Sequence, residues 1–328
     1  MKRYLLRRLL QLIPLFFIIT FMTFGLYQLA PGGPEQIFLR GENSNINPAD
    51  IEKLKEKWGL NKPLHVQYLT WLKNLVIHGD LGNSYISQRP VTETWLARLP
   101  ATLQLNIIEL FLIFALAIPL GIVCAVRQYS WIDYGAQTFS FLGHSMPSFW
   151  VGLMLILFVA LPSHGAIPTS GYRSFEVTPE THTWLGIMLD RARYMLLPVI
   201  TLTVTGMAAI TRYMRNSMLE VLKEDYIRTA RAKGLADRVV IYKHAMRNAL
   251  LPIITIMGVF LATIFDGSAI VEMIFAWPGV GQYGLNAVTS QDHPVVMALL
   301  LFGFMVGTVA SFSTEIVYVL VDPRIRYS

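Results

Sequence analysis

Six long runs of apolar side chains, separated by polar loops, constrain this sequence more than any other feature. They fall at about residues 9–30, 101–126, 134–161, 197–212, 251–275 and 295–320. About 20 apolar residues cross the hydrocarbon core as a helix, and lipid admits only helices and closed barrels because backbone polar groups find no water there. Only 15% of the 328 residues are charged and 54% are hydrophobic, which is too little charge to cover a water-soluble chain of this length. The fold class that follows is all-α: a polytopic membrane protein with six transmembrane helices.

The loops set the direction. Lys2, Arg3, Arg7 and Arg8 precede the first run, Arg127 follows the second, and nine Lys and Arg lie from Arg212 to Arg247. Arg324 and Arg326 close the chain, while the loop between the fifth and sixth runs has no Lys or Arg. The positive-inside rule then places both termini in the cytoplasm and explains the net charge of +6 without nucleic acid. The first run is longer than a secretory h-region, and the "YQLAPGG" after it is a poor cleavage site, so it is read as an uncleaved helix.

The expected division is an N-terminal transmembrane helix over 1–30, an external amphipathic helical segment over 31–98, and a five-helix core over 99–328. The core includes a cytoplasmic loop over 216–250. Within the external segment, Asn47-Pro48-Ala49-Asp50 starts one helix, with Ile51, Leu54 and Trp58 on one face and Gly59 as its stop. A second stretch, Pro63 to Ile77, repeats Leu64, Tyr68, Leu72 and Val76 at helical spacing. Pro147 predicts a kink in the third span. Pro198 and Pro252 predict helix starts, since a first turn tolerates proline best.

Several chemistries are excluded. The single cysteine, Cys124, rules out a disulfide framework or multi-cysteine metal site, and the seven histidines are scattered without a His-Glu-x-x-His spacing. His144 reads as a packed polar side chain in the third span. No P-loop motif occurs, so this chain cradles no ATP phosphates. Gly279, Gly281 and Gly284 match the dinucleotide fingerprint literally. Trp277-Pro278 precedes them instead of a strand, and Leu299 stands where an acid is needed, so the stretch reads as a rigid external turn. No catalytic or metal-binding residue is expected, and no cofactor.

The polar stretch from Glu224 to Pro252, "EDYIRTARAKGLADRVVIYKHAMRNALLP", is the most informative. Tyr226, Ala230 and Gly234 are four apart and share one helix face whose lower part is small, open to close approach by another protein. Gly234 then marks a turn or cap. This stretch resembles the "EAA" cytoplasmic loop of ABC-importer permease subunits, with Ala230 and Gly234 as the motif's alanine and glycine and Leu251-Pro252 as its closing pair. Arg228 and Thr229 occupy the usual Glu-Ala positions, and the glycine lies five residues further from the Leu-Pro. Both departures are similar to the dipeptide, oligopeptide and nickel branch of the family. "APGGPE" (with Gly33 where the family usually has Asp), "HGDLGNSY", "VEMIFAWPGVG" and "VDPRIRY" resemble the same branch in the same order.

The resemblance implies a type I importer permease that moves dipeptides or oligopeptides across the bacterial cytoplasmic membrane by alternating access. A second homologous permease, two cytoplasmic ATPases and an external binding protein would be its partners, with ATP and Mg bound by the ATPases. Glu224, Asp225, Tyr226, Arg228, Thr229, Ala230 and Gly234 would form the ATPase-coupling element. Nickel, glutathione or another small solute are alternative cargoes on the same architecture. A stand-alone secondary transporter would show inverted repeats, and none stands out.

Glu109, Asp266, Glu272 and Glu315 lie in or beside the apolar runs, where an unpaired charge costs several kcal/mol. Glu109 and Glu315 are read equally as pore-facing or as interfacial or protonated groups. Asp266 and Glu272, with Trp277, Pro278 and Gly279, are expected to face the translocation path or its external gate and to favour a peptide's amine. Thr201, Thr203 and Thr205, and the Gly303/Gly307 pair, are expected to serve helix packing.

Overall fold

The computed structural model describes residues 2–29, 52, 56, 61–178, 180–265 and 268–321. Among the described residues, the apolar runs fall mainly on helices. Helix α1 is Lys2–Leu29, α2 is Leu64–Lys73, and α3 is Val91–Val126. The third run is α4, Trp131–Ser145, and α5, Ser148–Leu155. The fourth lies within α6, Trp184–Val221. The polar stretch contains α7, Asp225–Ala232, α8, Asp237–Val239, and α9, Met246–Ala249. The fifth run is α10, Leu251–Thr263, and α11, Ala269–Ile274. Helix α12, Val280–Thr289, precedes α13, His293–Val321, which carries the sixth.

Four spans depart from simple rods. At 36 residues, α3 rises about 54 Å, well beyond the roughly 30 Å of hydrocarbon it must cross. Helix α6 begins at Trp184 instead of Leu197, so Pro198 is interior and not in a first turn. Hydropathy places the start late because the N-terminal part of α6 is amphipathic, and Thr183 caps it by accepting from the Gly186 amide at 3.3 Å. The third span turns by 105° between α4 and the leg that begins with α5. Met146 is extended there, as the residue before a proline tends to be.

The fifth span is broken between α10 and α11. Asn106 of α3 donates to the Ile264 carbonyl at 2.7 Å, supplying a partner that the interrupted helix lacks. The threonines of α6 behave as packing residues: Thr201 is buried and donates to the Leu197 carbonyl at 2.8 Å, and Thr205 donates to Thr201 at 3.2 Å.

Contacts divide the chain into two compact units, one of Met1–Leu99, Tyr283–Thr308 and Ile325–Ser328, the other of Pro100–Gln282 and Val309–Arg324. In the first, α2 leans on α1: the Thr20 and Tyr68 hydroxyls lie 3.1 Å apart, and Phe24 meets Tyr68 edge-on with ring centroids 5.5 Å apart. The expected stripe on this helix is only partly used. Tyr68 and Leu72 are half-buried, but Leu64 and Val76 are exposed. A π-helical turn over Asn74–His78 inserts a residue and rotates Val76 off the face. The stretch from Asn47 to Gly59, apart from Glu52 and Glu56, lies outside the described residues. A smaller cluster of Val91, Ala287, Val295 and Ala298 completes this unit's core.

The second unit holds two larger clusters. One gathers Leu105, Met195, Leu197, Val271, Phe275 and Trp277. The other joins α3, the C-terminal half of α6 and the polar stretch through Ile113, Ile210, Met214, Met218, Ile227 and Val240. Large apolar side chains such as Phe111 and Phe158 point outward, as expected where the surrounding solvent is lipid.

Candidate coupling element and external turn

The polar stretch folds as a hairpin returning to the end of α6. Ile227 and Ala230 are buried on one face of α7 and pack with Val240, Ala245, Ala249 and the methionines of α6. Flexible, polarisable methionines suit an irregular junction of several short helices. Ser217 of α6 donates to the Ala249 carbonyl at 2.9 Å, and the Asn248 side chain donates to the Tyr226 hydroxyl at 3.0 Å.

This geometry changes one expectation. Ala230 does not lie on an open small-residue face beside Tyr226; it faces the chain's own core, while Tyr226 is 43% exposed. The outward face of α7 carries Asp225, Arg228 and Thr229, with Glu224 just before it. Asp225 and Arg228 pair at 3.3 Å on that exposed surface, where an ion pair contributes little to stability.

Gly234 is the expected stop and its role is conformational. Its φ is +73°, the Leu235 amide bonds the Ala230 carbonyl, and the Gly234 amide bonds the Arg231 carbonyl, a Schellman ending. A Cβ there would meet nothing within 4 Å. Gly234→Ala is therefore expected to cost about 1 kcal/mol from backbone strain alone. Gly234→Asn should cost less, and the thermal midpoint of the purified assembly would rank the two.

The external turn is built around a carboxylate. Glu272 in α11 is fully buried: it accepts from the Thr102 hydroxyl at 3.0 Å and from the Gln282 amide at 2.7 Å. Thr102 in turn accepts from the Val280 amide at 2.8 Å. Val280 and Gln282 open α12, so the carboxyl sits at the end of that helix where free backbone amides need acceptors. The backbone closes the same knot, with the Trp277 amide on the Glu272 carbonyl at 2.7 Å.

Trp277 is buried too. Its indole N–H donates to the Ala101 carbonyl at 2.9 Å, and its ring meets Tyr172 edge-on at 4.7 Å. Pro278 is half-buried and Gly279 buried. The structure thus brings Glu272, Trp277, Pro278 and Gly279 together, but as a packed clasp. The expectation that Glu272 faces a translocation path is corrected, since its carboxylate is closed off by its own chain. Asp266 lies outside the described residues.

The glycines of the literal fingerprint have steric reasons. A Cβ on Gly279 would fall 2.4 Å from the Glu272 carboxyl, and one on Gly281 would fall 2.8 Å from the Ala269 backbone. Gly284 is tight only against the end of the Leu299 side chain.

Two polar knots are not evident from the sequence. Asp133 at the start of α4 is buried and takes both Nε and Nη2 of Arg215 at 2.6 and 2.8 Å, with the Tyr129 amide at 2.9 Å and Gln137 at 3.1 Å. In the first unit, buried Asp292 accepts from the Ser84 hydroxyl at 2.5 Å and the Tyr85 amide at 3.0 Å. This joins "HGDLGNSY" to the turn before α13. No cluster of three or more metal-ligating side chains occurs among the described residues.

Residues 117–327 match the family model described as binding-protein-dependent transport system inner membrane component, and residues 1–106 match that system's N-terminal membrane component model. The chain is 42% identical to the oligopeptide transport system permease protein AppB of Bacillus subtilis, each covered over 100% of its length. It is 38% identical to the dipeptide transport system permease protein DppB of Escherichia coli, covering 100% of this chain and 99% of that one. A solved structure titled as an inward facing conformation of the MetNI methionine ABC transporter superposes with a TM-score of 0.53 at 18% identity. It covers 70% of this chain and 96% of that chain, and shows the fold alone.

Proposed function

Because the chain belongs to the binding-protein-dependent transport system inner membrane components, we propose that it is the permease subunit of an ATP-driven importer of dipeptides or oligopeptides. Relatives matched over their full length are oligopeptide and dipeptide permeases, which supports that cargo class. In this reading the chain conducts and couples in a bacterial inner membrane and breaks no bond itself. ATP and Mg sit on two cytoplasmic ATPase subunits. A second homologous permease shares the pore, and an external binding protein delivers the peptide.

The observation that carries the coupling role is the rooting of α7. Ile227 and Ala230 tie it to the same methionine cluster as α6, and the stretch runs directly into α10 at Leu251. A force applied to the exposed Asp225, Arg228 and Thr229 is therefore passed through this shared cluster, which also includes Ile253 of α10, to two membrane spans. Alternating access follows if ATP-driven closure of the ATPases moves α7, and α6 and α10 with it.

The test separates surface from core. Arg228→Glu with Thr229→Trp is expected to leave the permease in the membrane at normal amount, lose the co-purifying ATPases, and cut peptide uptake at least tenfold, about 1.4 kcal/mol of coupling. Ala230→Asp should instead lower the amount of permease itself, because it buries a charge in the cluster. Full peptide uptake in the absence of any ATPase would overturn the reading.

A further inference from the structure

A cavity of about 380 Å³ opens between the C-terminal end of α3, α4 and the C-terminal half of α6. By liquid volume it would hold roughly a dozen waters. Its lining is unusual in one respect. The hydroxyls of Ser140 and Thr211 are buried and have no hydrogen-bond partner among the described residues. Buried hydroxyls are rarely left unpaired, so two on one cavity mark a place where something polar is bound.

Charge narrows what that is. Arg212 and Arg215 both line the cavity, but Arg215 is committed to Asp133. Arg212 is exposed and has no acidic partner among the described residues. The site thus offers a free guanidinium and two hydroxyls, the donors of an oxyanion site. The remaining lining includes Cys124 and Phe141, the latter 67% exposed. The occupant is therefore anionic at one end and apolar at the other.

Position in the bilayer makes the same point. The cavity lies near the membrane end that the basic loops mark as cytoplasmic. Around that end Tyr129, Trp131, Tyr134 and Tyr213 are exposed, at 70%, 83%, 57% and 53%. Exposed Trp and Tyr at one level mark contact with lipid head groups. We propose that the cavity seats the phosphodiester of an anionic glycerophospholipid from the cytoplasmic leaflet. Arg212, Ser140 and Thr211 hold the head group, and an acyl chain runs along Phe141. The lipid then bridges α4 and α6 beside the Asp133–Arg215 pair, whose arginine also lines the cavity. This assignment does not depend on the cargo.

The test uses the complete transporter in nanodiscs of phosphatidylcholine titrated with phosphatidylglycerol, with bound lipid counted by mass spectrometry. Wild type is expected to retain phosphatidylglycerol over phosphatidylcholine. Arg212→Gln should weaken retention roughly fivefold, the effect of one basic residue at an anionic surface. Thr211→Val, which keeps shape and removes the hydroxyl, should weaken it too while leaving subunit content unchanged. Should Arg212→Gln fail to assemble, Thr211→Val carries the test alone. Equal retention of the two lipids, or unchanged retention in the variants, overturns the site. Displacement by inorganic phosphate as effective as by phosphatidylglycerol overturns the lipid source in favour of a free anion. Protection of position 141 from a membrane-soluble label that persists after bound lipid has been stripped by detergent overturns it in favour of a protein-covered face.

Discussion

Gly279→Ala is expected to abolish peptide uptake by dismantling the external clasp. The added Cβ would lie 2.4 Å from Cδ and both oxygens of the buried Glu272 carboxyl. That carboxyl is held by Thr102 and the Gln282 amide, so it has no free direction in which to retreat. Overpacking by one methyl costs about 1–3 kcal/mol. Moving the carboxylate also strands two donors, each bond to a charged group being worth about 1.5–3 kcal/mol. A loss of at least about 3 kcal/mol follows, enough to remove most of the assembled protein. Gly284→Ala is the control, because its new methyl meets only the mobile end of Leu299 at 2.8 Å. It should keep uptake within about twofold, since surface-like changes stay within about 0.5 kcal/mol. Membrane abundance and thermal midpoint for the pair separate clasp failure from a general intolerance of alanine.

Breaking the Asp133–Arg215 pair should be nearly as severe. Asp133→Ala leaves a guanidinium with little solvent and no carboxylate, and it also strands the Tyr129 amide and Gln137. Removing one partner of a buried pair costs about 3–5 kcal/mol. The double change Asp133→Leu with Arg215→Met should recover most of the thermal stability, because desolvating two charges already offsets much of their attraction. Stability and coupling should part company in that variant. The pair ties α4 to α6 ten residues before α7 begins, so a transporter assembled on the restored permease is expected to move less peptide per ATP hydrolysed by its ATPase subunits. Equal stability of the single and double variants would remove the ion pair as the cause.

The spans were legible because hydropathy is local and lipid leaves few alternatives. The apolar runs lie mainly on helices, and the predicted bend at Pro147 is a 105° turn. Where the reading went astray, the deciding partner lies far along the chain. Glu272 looked like a path-facing charge because Thr102, which satisfies it, is 170 residues away. Asp133 follows Ser130 as an ordinary helix start, and nothing nearby signals Arg215, 82 residues on. Spacing correctly put Tyr226 and Ala230 on α7. It could not say which side faces outward, because that depends on Val240–Ala249 folding back over Ile227. Pro198 was placed in a first turn by a rule that equates helix starts with hydropathy starts, and α6 begins in amphipathic sequence instead.

Burial of Glu272 has an evolutionary consequence. A carboxyl held by Thr102 and the Gln282 amide and closed off from solvent is indifferent to what passes through the pore. Selection can then replace pore-lining side chains, and with them the solute carried, while Glu272, Trp277 and Gly279 stay under purely architectural constraint. Searching genomes with the Glu-to-Gly turn should accordingly collect proteins that share this clasp and differ in the solute carried. Cargo would have to be traced through other positions.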